Sequence, residues 1–285
     1  MRRLAVLLLS LLVVIAGCAR QSPVQTSEPA ASASVARLRV GATSDPTMRV
    51  LAELYVQALA AKGRPASVIE VSDEVNAQVS RLMADELDVV PAFAWSAAPG
   101  LEVDTSDPQN LVSDLAAALD GEAVVLQPSK VDRAWRYVSA RANASLLGLA
   151  KTTTIVAPQR WRTASDGPTG LAAIYGLRPT IAIEADPDRR LARVKAGAIG
   201  VFDGTEPQAA NPAVKPVGDP RSMIASDPQV ALLRIELSED DAVLEAIQQL
   251  HGKLDNAAVI GIRTRAAASS VPAAVTEWLK AHPLG

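Results

Sequence analysis

The clearest candidate for binding chemistry is the tripeptide Thr43-Ser44-Asp45, which joins a strand pattern to a helix pattern. Hydroxyl groups and the free backbone N–H groups of a helix start can together hold an anionic group of a small molecule. The same residues suit helix capping, because Asp45 precedes Pro46 at the first helical position. Both roles stay open for Thr43 and Ser44, since one loop can serve both.

Residues suited to catalysis are scarce. The two histidines, His251 and His282, lie in a C-terminal helical region, where the pattern favours a surface or capping role. The sequence has no Gly-x-Ser-x-Gly motif, no phosphate-binding loop and no His/Cys/carboxylate cluster with metal spacing. We therefore predict a protein that is not an enzyme and that has no catalytic residue, metal site or cofactor. A hydrolase that uses two distant carboxylates stays open as a weaker alternative.

Two α/β units position these residues. The first unit has the order β-α-β-α-β, which favours a parallel sheet. Its predicted elements are a strand at 38–42, a helix from Pro46 to before Gly63, a strand at 67–71, a helix with Val75, Val79, Leu82 and Met83 on one face, and a strand at 87–90.

A second unit repeats this order further along the chain. Its predicted elements are a strand at 153–157, a helix at 169–175 closed by Gly176, a strand at 180–183, a helix capped by Asp186 before Pro187, and a strand at 198–202. Two units of similar order favour two lobes over one large sheet, which remains the alternative. Two late helices, around Val243 to Leu254 and after Pro272, are expected to pack back onto the first lobe.

The first 18 residues have the pattern of a bacterial lipoprotein signal. Arg2 and Arg3 precede an apolar run, which ends in Ala16-Gly17-Cys18, and Cys18 is the only cysteine in the chain. We predict a signal peptide at 1–17, lipidation of Cys18, and a flexible tether at 18–36, which is rich in Ser, Ala, Pro and Gln. The expected location is the extracytoplasmic face of the cell membrane. An ordinary secretory signal and an uncleaved anchor are the alternatives.

The charge of the chain points away from nucleic acid. The formal net charge is -3, and removal of Arg2 and Arg3 with the signal would change it to -5. A mildly acidic protein is not drawn to nucleic acid or to anionic lipid. The lipid itself must then provide the anchoring.

Several short motifs are similar to those of one protein family. The motifs lie at 38–42, at 50–63, at Asp88-x-x-Pro91, at Tyr175-Gly176-Leu177 and at 197–206. In these motifs the chain resembles the substrate-binding lipoproteins of glycine betaine, choline and related osmoprotectant ABC importers. The resemblance implies an α/β, two-lobed type II periplasmic-binding-protein fold with a ligand cleft between the lobes. We place lobe I at 37–131 and 216–285, and lobe II at 132–215.

The resemblance also suggests the ligand-binding residues. Where family members commonly have a tyrosine after Asp-x-x-Pro, this chain has Phe93, with Trp95 two residues on. Asn143 is kept near the start of the second lobe, but the aromatic residue that follows it in the family is not. Gly204-Thr205-Glu206 stands where the family tends to have Thr-Thr-Asp. The predicted ligand-binding residues are Thr43, Ser44, Phe93, Trp95, Asn143, Thr205 and Glu206.

These departures bear on the ligand. Quaternary ammonium groups are held on several aromatic faces, and aromatic residues make up only 3% of this chain. Glu206 or Asp227 could supply negative charge instead. We therefore expect a small cationic or zwitterionic solute. The resemblance implies an ABC permease and its ATPase subunit as partners. The alternative is a sensor or envelope interaction lipoprotein that kept the fold without transport.

Overall fold

The first of two sheets carries the start of the folded chain. The computed structural model describes residues 36–74, 76–99, 101, 103 and 110–285, so the predicted signal, Cys18, most of the tether and Val75 lie outside the described residues. The strand order is β2-β1-β3-β10-β4. Strand β1 pairs in parallel with β2 and β3, whereas β10 pairs antiparallel with β3 and β4. These strands are β1 (Leu38–Ala42), β2 (Ala66–Glu70), β3 (Val89–Phe93), β4 (Ala123–Val125) and β10 (Gln229–Arg234).

The second sheet is built from the middle of the chain. Its strand order is β7-β6-β8-β5-β9, with β6 parallel to β7 and β8, and with β5 antiparallel to β8 and β9. The chain passes from the first sheet to the second after β4 and returns between β9 and β10. The strands are β5 (Trp135–Ser139), β6 (Thr154–Ala157), β7 (Thr180–Ile183), β8 (Ile199–Asp203) and β9 (Lys215–Pro216). The two sheets confirm the predicted two-lobed α/β fold.

Several helices begin or end where local signals predict. Asp45 caps the first helix by accepting hydrogen bonds from the backbone N–H groups of Thr47 and Met48. Gly176, with φ 66°, closes the helix that precedes β7. In the described residues the α-helices are α1 (Pro46–Ala61), α2 (Ala77–Met83), α3 (Ala94–Ala97), α4 (Leu111–Ala118), α5 (Gly170–Tyr175), α6 (Pro187–Lys195), α7 (Asp241–Lys253), α8 (Asn256–Ala266) and α9 (Val271–Ala281).

Both faces of the first sheet are covered. On one face α1 packs with the late helices α7, α8 and α9, whose Leu250, Ile262 and Val275 are buried in the same cluster as Val40 of β1. On the other face α2, α3 and α4 form a second cluster. Burying one such aliphatic side chain contributes about 1.5 to 3 kcal/mol. The late helices therefore pack back onto the first lobe, as predicted.

The second sheet has its own cores, one on each face. One of these clusters includes Val217 and Met223. The residues that pack with this sheet thus extend beyond residue 216, where the sequence places the return to lobe I. The lobe boundaries themselves stay a prediction.

The strands of the first predicted unit, β1, β2 and β3, are parallel, as expected. The sheet as a whole is mixed, because β10 enters it from a distant part of the chain and runs antiparallel between β3 and β4. Two local expectations are wrong. Met83 is 41% exposed, so it does not share the buried face of Val79 and Leu82. His251 is buried, with 6% exposure, rather than at the surface.

His251 tolerates burial because both ring nitrogens have partners. Nδ1 lies 2.7 Å from the backbone oxygen of Gln127, which can only accept, so Nδ1 carries the proton. Nε2 then accepts from the hydroxyl of Tyr55 at 2.6 Å, and that hydroxyl accepts from Gln229 at 2.7 Å. His282, by contrast, is exposed at the end of α9 and contacts the backbone oxygen of Trp278, as a capping role predicts.

We expect the buried His251 to make the fold sensitive to acid. Burial lowers the pKa of His251 below its ordinary value of 6.5. As the pH falls through 6.5, the unfolded chain therefore binds a proton that the folded chain does not, and stability decreases. The thermal midpoint should drop more between pH 7.5 and pH 5.5 in the wild type than in a His251→Gln variant, which cannot titrate there. Equal drops in the two proteins would contradict this role.

Candidate ligand cleft

The larger cavity, of about 590 Å³, lies where strands of the first sheet end. Thr43 and Ser44 directly follow β1, Phe93 ends β3, and Trp95 follows it in α3, and all four line the cavity. The carboxyl ends of neighbouring parallel strands lie at one edge of a sheet, which is the usual place for ligands in α/β folds. Four of the predicted binding residues are thus brought together here.

The loop after β1 combines capping with cavity lining. Asp45 caps α1, while Ser44 donates its backbone N–H to Asp73 Oδ1 at 2.8 Å and its hydroxyl to Asp73 Oδ2. These hydrogen bonds from Ser44 lower the pKa of Asp73, so this cavity residue is ionised at neutral pH. The loop therefore presents a negative charge at one side of the cavity.

Arg133 joins the two lobes beside this loop and also lines the larger cavity. Its Nε donates to Asp203 Oδ2 at 2.6 Å, at the end of β8, and its Nη2 donates to Asp45 before α1. Burial alone would lower the pKa of Arg133, but these carboxylates raise it above its ordinary value. Burial likewise acts to raise the pKa of Asp203, yet Arg133 and Arg160 hold it well below the usual range. Arg133 and Asp203 are therefore both charged at neutral pH.

Two arginines lie on aromatic rings of the cleft. The Cζ atom of Arg133 is 5.1 Å from the ring centre of Phe93, and that of Arg160 is 4.6 Å from the ring centre of Trp135. Arg160 also donates to Asp203. Both distances fall within the range of cation–π attraction.

A smaller cavity, of about 200 Å³, adjoins the larger one. Trp95, Ser96, Arg133 and Arg160 line both cavities. Asp227 lines the smaller cavity and accepts a hydrogen bond from the backbone N–H of Trp95 at 2.8 Å.

Opposing effects determine the protonation state of Asp227. Burial raises its pKa to about 7, against the opposing effects of the Trp95 hydrogen bond and of Arg133. A positively charged solute group beside Asp227 would favour its ionised form. Burial also raises the pKa of Asp166, which lines the same cavity.

Three predicted binding residues lie outside the linings of both cavities. Thr205 is fully buried, and its hydroxyl lies 2.8 Å from that of Thr47 in α1. Glu206 accepts from Arg190 Nη2 at 2.6 and 2.8 Å. Asn143 is exposed in a turn with φ 57°. Their role in binding stays a prediction.

Thr205 instead belongs to a polar contact between the lobes. Arg263 of α8 donates to the Thr47 hydroxyl at 3.0 Å and to the backbone oxygen of Thr205 at 2.7 Å. Asn256 donates to the backbone oxygen of Gly204 at 2.7 Å. This contact fixes the loop after β8 against the helices of the first lobe.

Sequence reasoning missed Arg133, Arg160 and Asp203. A signal was present for two of them, because Asp203 ends β8 and Arg160 follows β6, and these strands are parallel neighbours. Arg133 lies between strands of different sheets, in a segment without hydrophobic periodicity. Nothing local marked it as a residue that contacts both lobes.

The family of the chain follows from its sequence. Residues 36–281 match the model of the substrate binding domain of the ABC-type glycine betaine transport system. The match covers most of the chain, so the protein belongs to this family of substrate-binding proteins. The family assignment favours solute binding for transport over the alternative of a sensor. No curated protein matches the sequence significantly.

Solved structures share the fold at low identity. A glycine betaine/carnitine/choline ABC transporter structure has a TM-score of 0.75 at 13% identity, and the match covers 86% of this chain and 98% of that one. Apo YehZ from Escherichia coli has a TM-score of 0.71 at 15% identity, with 88% and 100% covered. Lactococcal OpuAC, closed on glycine betaine, has a TM-score of 0.61 at 12% identity, with 86% and 96% covered.

No helix among residues 36–74, 76–99 and 110–285 has both the length and the apolar character that a membrane crossing needs. In the same part of the chain, no three His, Cys, Asp or Glu side chains are grouped so as to hold a metal ion.

Proposed function

We propose that the protein binds a small zwitterionic solute in the two adjoining cavities and delivers it to an ABC permease. The observation that carries this proposal is that groups of both signs line the cleft around Trp95. Arg133 and Arg160 offer N–H donors to a carboxylate, and Asp227 and Asp73 attract a positive group. A solute with both charges would satisfy both sides.

The size of the cleft and the relatives agree with a small solute. The cavities measure about 590 and 200 Å³, within the range of small-molecule sites. One solved structure of similar fold is described as complexed with glycine betaine and another as a choline binding protein in complex with choline. These relatives support a cationic or zwitterionic solute for this chain.

We further propose that the protein is anchored outside the cytoplasmic membrane by a lipid on Cys18. The basic start, the apolar run and the small residues before Cys18 support this. The segment 18–36 would then give the folded lobes reach toward a permease, whose separate ATPase subunit would drive transport.

Titration calorimetry on the chain from residue 19 onward tests the binding proposal. The panel contains glycine betaine, choline, carnitine, ectoine, proline and other amino acids, and polyamines. We expect heat of binding with one zwitterionic class, and a higher thermal midpoint in its presence, because a ligand of the native state stabilises it.

A Trp95→Ala variant locates the site. Loss of one aromatic face should weaken solute binding by about 3- to 30-fold, while Ile183→Ala, in a residue outside both cavity linings, should leave it unchanged. The absence of binding heat for every compound of the panel at millimolar concentration would contradict the proposed function. Equal loss of stability and affinity in Trp95→Ala would assign Trp95 to the core instead.

A further inference from the structure

Two aromatic rings of the cleft are already covered by cations of the protein itself. Arg133 lies over Phe93, and Arg160 lies over Trp135. Phe93 lines the larger cavity and Trp135 the smaller one, and both arginines line both cavities. Among the described cavity residues, Trp95 is the aromatic side chain without such an arginine contact.

We propose that Arg133 and Arg160 are specificity-determining residues. Each occupies an aromatic ring face that a solute's quaternary ammonium group would otherwise contact. The solute selected is then a zwitterion whose positive group carries N–H donors, as in an amino or imino acid. This inference rests on the proposed function for the location of the binding site.

Arg133 is held too firmly for a solute to displace it. Its guanidinium is shared between Asp45 of the first lobe and Asp203 of the second, and its side chain is only 13% exposed. Moving it aside would leave the buried carboxylate of Asp203 with one partner fewer, which is costly in a desolvated site. A trimethylammonium group therefore cannot reach the face of Phe93.

The remaining chemistry favours a positive group with N–H donors. A trimethylammonium group has no hydrogen-bond donor and depends on several aromatic faces. Trp95 offers one ring, whereas Asp227 and Asp166 offer carboxyl oxygens in the same cavity. An ammonium group with N–H donors can hydrogen-bond to these oxygens, and its charge favours their ionised form.

Removing the arginine should convert the site. In Arg133→Ala the face of Phe93 is open, and the charges of Asp45 and Asp203 lose a partner beside it. An aromatic face with uncompensated carboxylates is a site for a quaternary ammonium ion. The probe is choline, which carries no carboxylate and so does not depend on the arginines.

Choline titrations of the folded chain from residue 19 onward compare the wild type with three cleft variants. We expect Arg133→Ala to bind choline at least about tenfold more tightly than the wild type. Arg133→Met removes the same charge but keeps a long side chain over the ring of Phe93, so its choline affinity should increase less. Arg160→Ala should also bind choline more tightly, because it uncovers the ring of Trp135. The Arg160 side chain is 44% exposed, so this variant is expected to fold.

Arg221→Ala is the matched control. Arg221 also lies over an aromatic ring, 5.5 Å from the centre of Tyr175, but outside both cavity linings. Its removal should leave choline binding as in the wild type.

Three results would overturn the inference. The first is a choline affinity of Arg133→Ala equal to that of the wild type. The second is an equal increase of choline affinity in Arg133→Ala and Arg133→Met, which would reflect the loss of charge alone. The third is a choline affinity of Arg160→Ala no higher than that of the wild type. This third result tests the inference by itself if Arg133→Ala does not fold. A wild type that binds no zwitterion contradicts the proposed function, whereas a choline gain in the variants would still support the inference.

Discussion

Replacing Asp203 by Asn is expected to lower the free energy of unfolding by about 3 to 5 kcal/mol. Asp203 is 2% exposed and accepts hydrogen bonds from Arg133 and Arg160, and from the backbone N–H and hydroxyl of Thr205 at 2.8 and 2.6 Å. The Asn variant keeps the shape but removes the charge, so Arg133 remains buried with its main partner lost. Urea unfolding at pH 7 measures the effect.

The pH dependence of this contribution has a definite sign. Because the pKa of Asp203 is lowered in the folded chain, its stabilisation is fully present above the ordinary value of 3.8 and is lost as the pH falls below it. The wild type and Asp203→Asn should therefore differ at pH 7 and converge in strong acid. Asp120→Asn, on the exposed surface, is the control and should behave as the wild type at both pH values. A loss below about 1 kcal/mol at pH 7 would place Asp203 among ordinary surface ion pairs.

Replacing Glu206 by Gln should destabilise the second lobe strongly while leaving solute affinity unchanged. Arg190 is buried, with a side chain 1% exposed, and its charge is balanced by Glu206. Removing the carboxylate charge leaves a buried guanidinium without its counter-ion, which costs about 3 to 5 kcal/mol. Chemical unfolding and calorimetry on the same preparation separate stability from binding.

This experiment also decides the predicted role of Glu206 as a ligand residue. The sequence places it in the cleft, whereas its side chain faces Arg190 and lies outside the linings of both cavities. Unchanged stability with reduced solute affinity would restore the ligand role. Asp188→Asn is a suitable control, because Asp188 lies near the start of the same helix as Arg190 but is exposed.

The sequence by itself determined the local elements and one half of the cleft. Asp45 and Pro46, Asp186 and Pro187, and Gly176 act through caps and backbone angles of their own neighbourhood, so the helix ends could be predicted. Residues that follow parallel strands collect at one edge of a sheet, and for that reason the lining residues after β1 and β3 were found.

Tertiary structure decided the other half of the cleft and the contacts between distant parts of the chain. Strand β10 pairs with β3 across more than a hundred residues, which local propensity cannot encode. His251 is buried because Tyr55, 196 residues away, satisfies its ring nitrogen. Arg133 contacts Asp45 and Asp203, which are 88 and 70 residues away. Such contacts depend on how whole sheets and helices pack, and the charge of the cleft is set at that level.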